Sequence, residues 1–290
     1  MMMIPVSLAI VASVMMHVTW NLMARHQPRD AEPLWWVLLA HSVILGPWGL
    51  YCLITESHWN AQLVSLLCVS AFANTVYFFG LARAYSHAPV ALVYPLVRSS
   101  PLLIAIWSWL LFSEHLGTLA WFGIALNVGG LLLMASTGRN NHEGRAMPWA
   151  VLAMLATSVY SLSDKAATIY VPGFGGLIGY ITVGYLAAWL AMSLRMRADT
   201  GRWMPPARIK PDAMIVGGLC IGTAYALVIH AMRSLAAAEV VAYTNAGIVI
   251  ATLLSITVFK ERMHWRWRVA GALLICAGLV SLTLGRTGST

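Results

Sequence analysis

Ten runs of about 20 mainly apolar residues, separated by short polar gaps, take up nearly all of this 290-residue chain. An α-helix needs about 20 such residues to cross roughly 30 Å of hydrocarbon. The runs fall near 4–24, 33–55, 62–84, 89–112, 117–137, 147–170, 174–194, 212–233, 238–259 and 267–285. Little is left over for a soluble domain. Composition agrees, with 60% hydrophobic and 10% charged residues, where soluble chains carry about 25% charged. A water-facing surface cannot absorb that apolar fraction. The expected fold is all-α and integral to the membrane, with ten transmembrane helices in the lipid bilayer. A cytosolic enzyme, a nucleic-acid binder and a disordered chain are excluded.

The two halves resemble each other. Pro5 and Pro148 both open a first helix, and His17–Asn21 aligns with Tyr160–Asp164 at an offset of 143. Tyr77 matches Tyr225 at 148, and Phe112-Ser113-Glu114 matches Phe259-Lys260-Glu261 at 147. Gly123 and Gly130 match Gly271 and Gly278. These pairings keep their order, which predicts two five-helix repeats at 1–138 and 147–286. Five is an odd number, so the second repeat is inverted relative to the first. Inverted repeats recur in secondary transporters, with the substrate site at the midplane.

The net charge of +8 would suggest nucleic acid in a soluble protein. Here the basic residues sit in the gaps. Alternate gaps hold 14 of the 18 Lys and Arg, from Arg25 and Arg29 to Arg266 and Arg268, against Arg233 and Arg286 on the other side. The positive-inside rule places both termini outside the cytoplasm. Cys52, Cys68, Cys220 and Cys276 lie singly in apolar runs and read as small hydrophobes rather than disulfide or metal partners. The first run lacks a basic start and reads as a span, not a cleavable signal.

With the ten runs, the duplication, the Trp20-Asn21 pair, the Phe-x-Glu turns and the Gly-rich fifth and tenth runs in view, the chain resembles the EamA-type branch of the drug/metabolite transporter superfamily. That resemblance implies a basket of ten helices in a bacterial inner (plasma) membrane. It implies a cavity lined by the first, third, fourth, sixth, eighth and ninth spans. It further implies transport of metabolites or drugs, by exchange or with protons. Members of the family keep both termini cytoplasmic, opposite to the charge reading. The four-helix multidrug relatives carry a glutamate in the first span where this chain has Ser13.

Charged groups inside a span are costly and face a cavity or a partner. Arg98 is the deepest, between Pro95 and Pro101, which each remove a backbone donor. Its guanidinium suits a carboxylate, phosphate or phosphonate held in a fork, or else braces its own helix. Asp164 and Lys165 are adjacent and point about 100° apart. Asp164 either pairs with Arg98, titrates as a coupling carboxylate, or lies with Lys165 at the membrane boundary, the lysine snorkelling. His17 and His230 are candidates for proton relay or for packing. Asn74, Tyr77, Tyr94, Tyr160, Tyr225, Tyr243 and Asn245 fall on spans that line the cavity of the resembled family, as do Trp20 and Asn21. Tyrosine offers a mixed ligand both a ring and a polar tip. Most other tryptophans sit near span ends as interfacial anchors, and the repeated glycines read as close-packing points. No spacing fits a metal, no cofactor is expected, and no phosphate-binding loop points to ATP-driven pumping.

The leading expectation is a secondary transporter moving a small polar or amphipathic metabolite, amino-acid-like or otherwise anionic or zwitterionic, by alternating access. The protein would work as a monomer or homodimer, with a proton or an exchanged substrate as coupling partner. The alternatives are a proton-coupled exporter of cationic drugs or quaternary amines and, from another class, a membrane-embedded enzyme or channel.

Overall fold

Proline decides where many of these helices begin and where some of them bend. A computed structural model describes residues 4–28, 31–136, 143–260 and 264–287. Among them the regular structure is helical: α1 (Val6–Arg25), α2 (Pro33–Ile44), α3 (Gly46–Glu56), α4 (Ala61–His87), α5 (Val90–Val97), α6 (Ser100–Phe112), α7 (Thr118–Ser136), α8 (Met147–Ala167), α9 (Phe174–Thr200), α10 (Pro211–Met232), α11 (Ala237–Thr244), α12 (Ala246–Thr257) and α13 (Trp265–Thr287). A short 3-10 turn, Glu143–Arg145, precedes α8. Pro5 and Pro89 stand at the N-caps of α1 and α5, and Pro33 and Pro211 lie in the first positions of α2 and α10. A missing N–H costs least there, because the first turn has no acceptor for it.

Three of the sequence runs are split. The second divides into α2 and α3, bent by 56°, where Pro47 in the first turn of α3 lacks the amide that would continue α2. The fourth divides at Arg98-Ser99, with Pro95 inside α5 and Pro101 opening α6. The ninth divides at Asn245 without a proline. Among the described residues, eight spans are long and apolar enough to cross a membrane, or nine if α2 and α3 count as one. The run at 147–170 forms the 21-residue α8. Its Thr157, Ser158, Ser161, Ser163, Asp164 and Lys165 keep it below that apolar threshold. The polar gap 137–142, Arg29, Asp30 and the second turn's Glu261-Arg262 lie outside the described residues.

The chain forms two compact units, and each draws on both halves of the sequence. The first comprises residues 1–79 and 163–234, the second 80–162 and 235–290. In the first unit α1 packs on α10, α3 on α9, and α2 on both α9 and α10. Leu38, Leu53, Leu63, Ile178, Tyr180 and Ile229 fill its core. His41 is fully buried there, bonded to the Gly218 carbonyl and the Thr182 hydroxyl. In the second unit α7 runs along α13. A methyl group on Gly123 would stand 2.7 Å from the Gly278 carbonyl oxygen, and one on Gly130 2.5 Å from that of Gly271. The four repeated glycines thus bring two backbones into contact, as small residues do between membrane helices. Phe72, Trp109, Leu111, Ile169 and Leu273 are exposed, which suits lipid rather than water.

Candidate functional site

In the second unit, Arg98 sits where α5 gives way to α6. Its backbone amide still bonds the Tyr94 carbonyl, so the side chains of Tyr94 and Arg98 lie one turn apart on the same face. The guanidinium donates to the Tyr94 hydroxyl from Nε at 3.1 Å and Nη2 at 2.9 Å, and lies 5.2 Å from the Tyr94 ring centre. Nη1 donates to the Thr244 hydroxyl at 3.1 Å. Thr244 closes α11 at the other broken helix. There Asn245, 0% exposed, donates from Nδ2 to the Arg98 carbonyl at 3.3 Å and to Asn127 Oδ1 at 2.7 Å. Asn127 of α7 in turn donates to the Ala242 carbonyl at 3.4 Å. The two breaks therefore meet, through the Arg98–Thr244 and Asn245–Arg98 bonds. Asn245 Oδ1 is buried without a hydrogen-bond partner.

The sequence places Arg98, Tyr94 and Asn245 among the candidates, and the structure brings these three together. Asn127 and Thr244 join them unannounced. Asn127 was visible as the asparagine inside the 117–137 run; Thr244 gave no signal. Tyr243 points elsewhere, its hydroxyl 3.3 Å from that of Thr283 on α13. Tyr160 is buried on α8 in the same unit.

The first unit holds the other candidates. Asp164 is 1% exposed and receives the Tyr225 hydroxyl at 2.6 Å on Oδ2. It is buried inside the protein, and its bonded partner is a phenol. Asn74 donates to the Ser70 carbonyl at 3.0 Å and hydroxyl at 3.3 Å, one turn back on α4, and packs against Gly184. Ser70 and Tyr180 stand beside Asp164. Tyr77 packs edge-on against Phe78 at 4.9 Å, and it and Trp20 lie at the margin of the core. Asn21 turns back on its own helix, donating to the His17 carbonyl at 2.7 Å. His230 Nε2 lies 3.1 Å from the Ile4 carbonyl, fastening the end of α10 to the start of α1. Among the described residues, no three His, Cys, Asp or Glu cluster to hold a metal.

Residues 4–136 match the model of the EamA-like transporter family. Over that stretch, somewhat under half of the chain, the sequence is similar to EamA-like transporters. With eight or nine helices long and apolar enough to cross a membrane among the described residues, this likeness fits an integral multi-pass membrane protein. A solved structure described only as that of a protein aligns with a TM-score of 0.72 over 96% of this chain and 97% of its own, at 19% identity. That likeness concerns the fold alone. No curated protein matches the sequence.

Proposed function

We propose that this EamA-like protein is a secondary transporter moving a small polar or amphipathic metabolite with an anionic group, such as an amino acid or a related zwitterion. Ten spans arranged as two inverted five-helix repeats, 1–138 and 147–286, would alternate access to its site. Both termini would lie outside the cytoplasm of a bacterial inner membrane, as the loop charges favour. One observation carries the substrate class: a guanidinium set at a helix break, where it bonds the hydroxyls of Tyr94 and Thr244. Transporters place substrate groups at such broken helices, and arginine recognises carboxylate or phosphate through paired N–H bonds. The buried, unpartnered Asn245 Oδ1 beside it offers an acceptor for a substrate ammonium or hydroxyl.

Counterflow in proteoliposomes against a panel of amino acids, phosphonates, polyamines and quaternary amines tests this. Saturable exchange of an anionic or zwitterionic compound is expected. Losing a charge-assisted bond of about 1.5–3 kcal/mol corresponds to roughly 10–150-fold in affinity. Arg98→Ala should lose transport on that scale while still eluting as a folded, monodisperse protein. Unchanged uptake by this variant would return Arg98 to a bracing role. Exchange confined to quaternary amines would favour the cation-export alternative.

A further inference from the structure

We propose that Asp164 is the proton-coupling carboxylate of this transporter and that Tyr225 is its proton gate. The inference rests on the transport reading above but on a different cluster of residues. The carboxylate is 1% exposed, so it carries either a neutralising partner or a large desolvation cost. One oxygen is satisfied: Oδ2 accepts the Tyr225 phenol at 2.6 Å. The other, Oδ1, has no hydrogen-bond partner, and neither does the hydroxyl of Tyr180, 2% exposed, from α9. Both oxygens lie in one buried cluster with the Ser70 hydroxyl. A carboxylate this enclosed, bonded to a single phenol, is relieved of its desolvation cost by taking up a proton, and the neutral acid gains a donor for the hydroxyls beside it.

The residues facing Asp164 suit a proton better than a metal cation. From α4 come Ser70 and, near Tyr180, Cys68; from α9 comes Tyr180; from α10 comes Tyr225. Lys165 follows on the same helix and is half-buried. Sodium sites in transporters draw on carbonyls freed by unwound helices. Here the breaks lie between α2 and α3, α5 and α6, and α11 and α12, whereas α4, α8, α9 and α10 run unbroken through the cluster. Ser163, beside Asp164, already donates to the Leu66 carbonyl at 2.8 Å.

Tyr225 is half-buried, and its hydroxyl joins the enclosed carboxylate to less enclosed surroundings. A proton arriving on the phenolic oxygen releases the phenolic hydrogen to Asp164 Oδ2, leaving a neutral phenol and a neutral acid. Release runs the same transfer backwards. No other bond changes.

Two measurements test this together. In proteoliposomes, the wild-type protein should show counterflow that a pH gradient accelerates several-fold. Asp164→Asn, which can still accept the Tyr225 hydrogen bond, should keep counterflow and lose the acceleration. Tyr225→Phe should keep the response and slow it. A pH response surviving in Asp164→Asn, or a sodium gradient substituting for it, overturns the proposal. Infrared titration of the purified protein needs no substrate: a protonated-carboxyl band that varies with pH in the wild type should be missing from Asp164→Asn and shifted in Tyr225→Phe. Absence of that band overturns the proposal even if folding of Asp164→Asn is impaired. Absence of counterflow for every compound, with the band present, instead sinks the transport reading and leaves the proton site standing.

Discussion

Gly129 and Gly130 are neighbours on α7 with opposite surroundings, and replacing each by alanine isolates the cost of close helix packing. A methyl group on Gly129 meets nothing within 4 Å. One on Gly130 would lie 2.5 Å from the Gly271 carbonyl oxygen and 3.0 Å from the Ile275 nitrogen. Both obstacles are backbone and cannot rotate away. Ordinary contact begins at 3.4 Å, so α13 must retreat by about 0.9 Å along the seam. Gly123 and Gly278 resist that retreat, since they hold the same pair of helices at equally short range. Overpacking of this kind costs about 1–3 kcal/mol. The helix preference for alanine over glycine, about 0.5–1 kcal/mol, enters both variants equally and cancels in the comparison. Gly130→Ala should therefore melt below Gly129→Ala by roughly 2–12 °C, followed by tryptophan fluorescence of the purified protein in detergent. Gly129→Ala should match or exceed the wild type. Coincident melting of the two variants would refute the backbone contact between α7 and α13.

Trp35→Phe removes the bond from the indole Nε1 to the Ser193 hydroxyl, 2.8 Å long and buried, and should lower stability by about 0.5–1.5 kcal/mol in the same melt. Glu32, just before α2, has its carboxyl lifted above the ordinary range by desolvation, with Arg195 opposing the shift. The folded state then holds the proton more tightly than the unfolded chain. Its contribution is present in acid and lost as pH rises through the raised value. Glu32→Gln should accordingly flatten the fall of melting temperature from acid toward neutral pH; an unchanged slope would assign that fall to other groups.

Hydropathy made the helices legible, because runs long enough to span a bilayer admit few other structures. Their bends were legible only in part. Pro47 and Pro101 signal two of the three breaks through a missing amide, but Asn245 has an ordinary backbone and interrupts its run without a sequence mark. What shows it is its partnership with Arg98 and Asn127, between residues more than a hundred positions apart. Arg98 stood out because a lone guanidinium in hydrocarbon is expensive. Asp164 was ambiguous for a related reason: its place near the end of α8 fits the membrane surface as well as the interior. What the sequence could not show is that the fold of the first unit sets Tyr225 and Tyr180 around it. Tyr243 shows the converse, since a tyrosine adjacent to Thr244 in sequence turns to a different helix.

The two broken helices sharpen the meaning of the proposed duplication. Arg98 and Asn245 stand 147 residues apart, the offset that relates the Phe-x-Glu turns, and both mark the end of a half-helix. Asn21 and Asp164 are likewise equivalent at the 143-residue offset of their segment. In each pair one repeat carries a formal charge and the other an asparagine, with the cation in the first repeat and the anion in the second. Both amides bond backbone carbonyls, Asn21 that of His17 and Asn245 that of Arg98, and Asn245 also donates to Asn127 Oδ1. The charged members bond side-chain hydroxyls instead, Arg98 those of Tyr94 and Thr244, Asp164 that of Tyr225. If the scaffold is duplicated as proposed, chemistry has two equivalent addresses, and a buried charge at both would double the desolvation cost. On the two proposals above, keeping one charge per pair would separate the labour, with Arg98 meeting an anionic substrate and Asp164 carrying a proton.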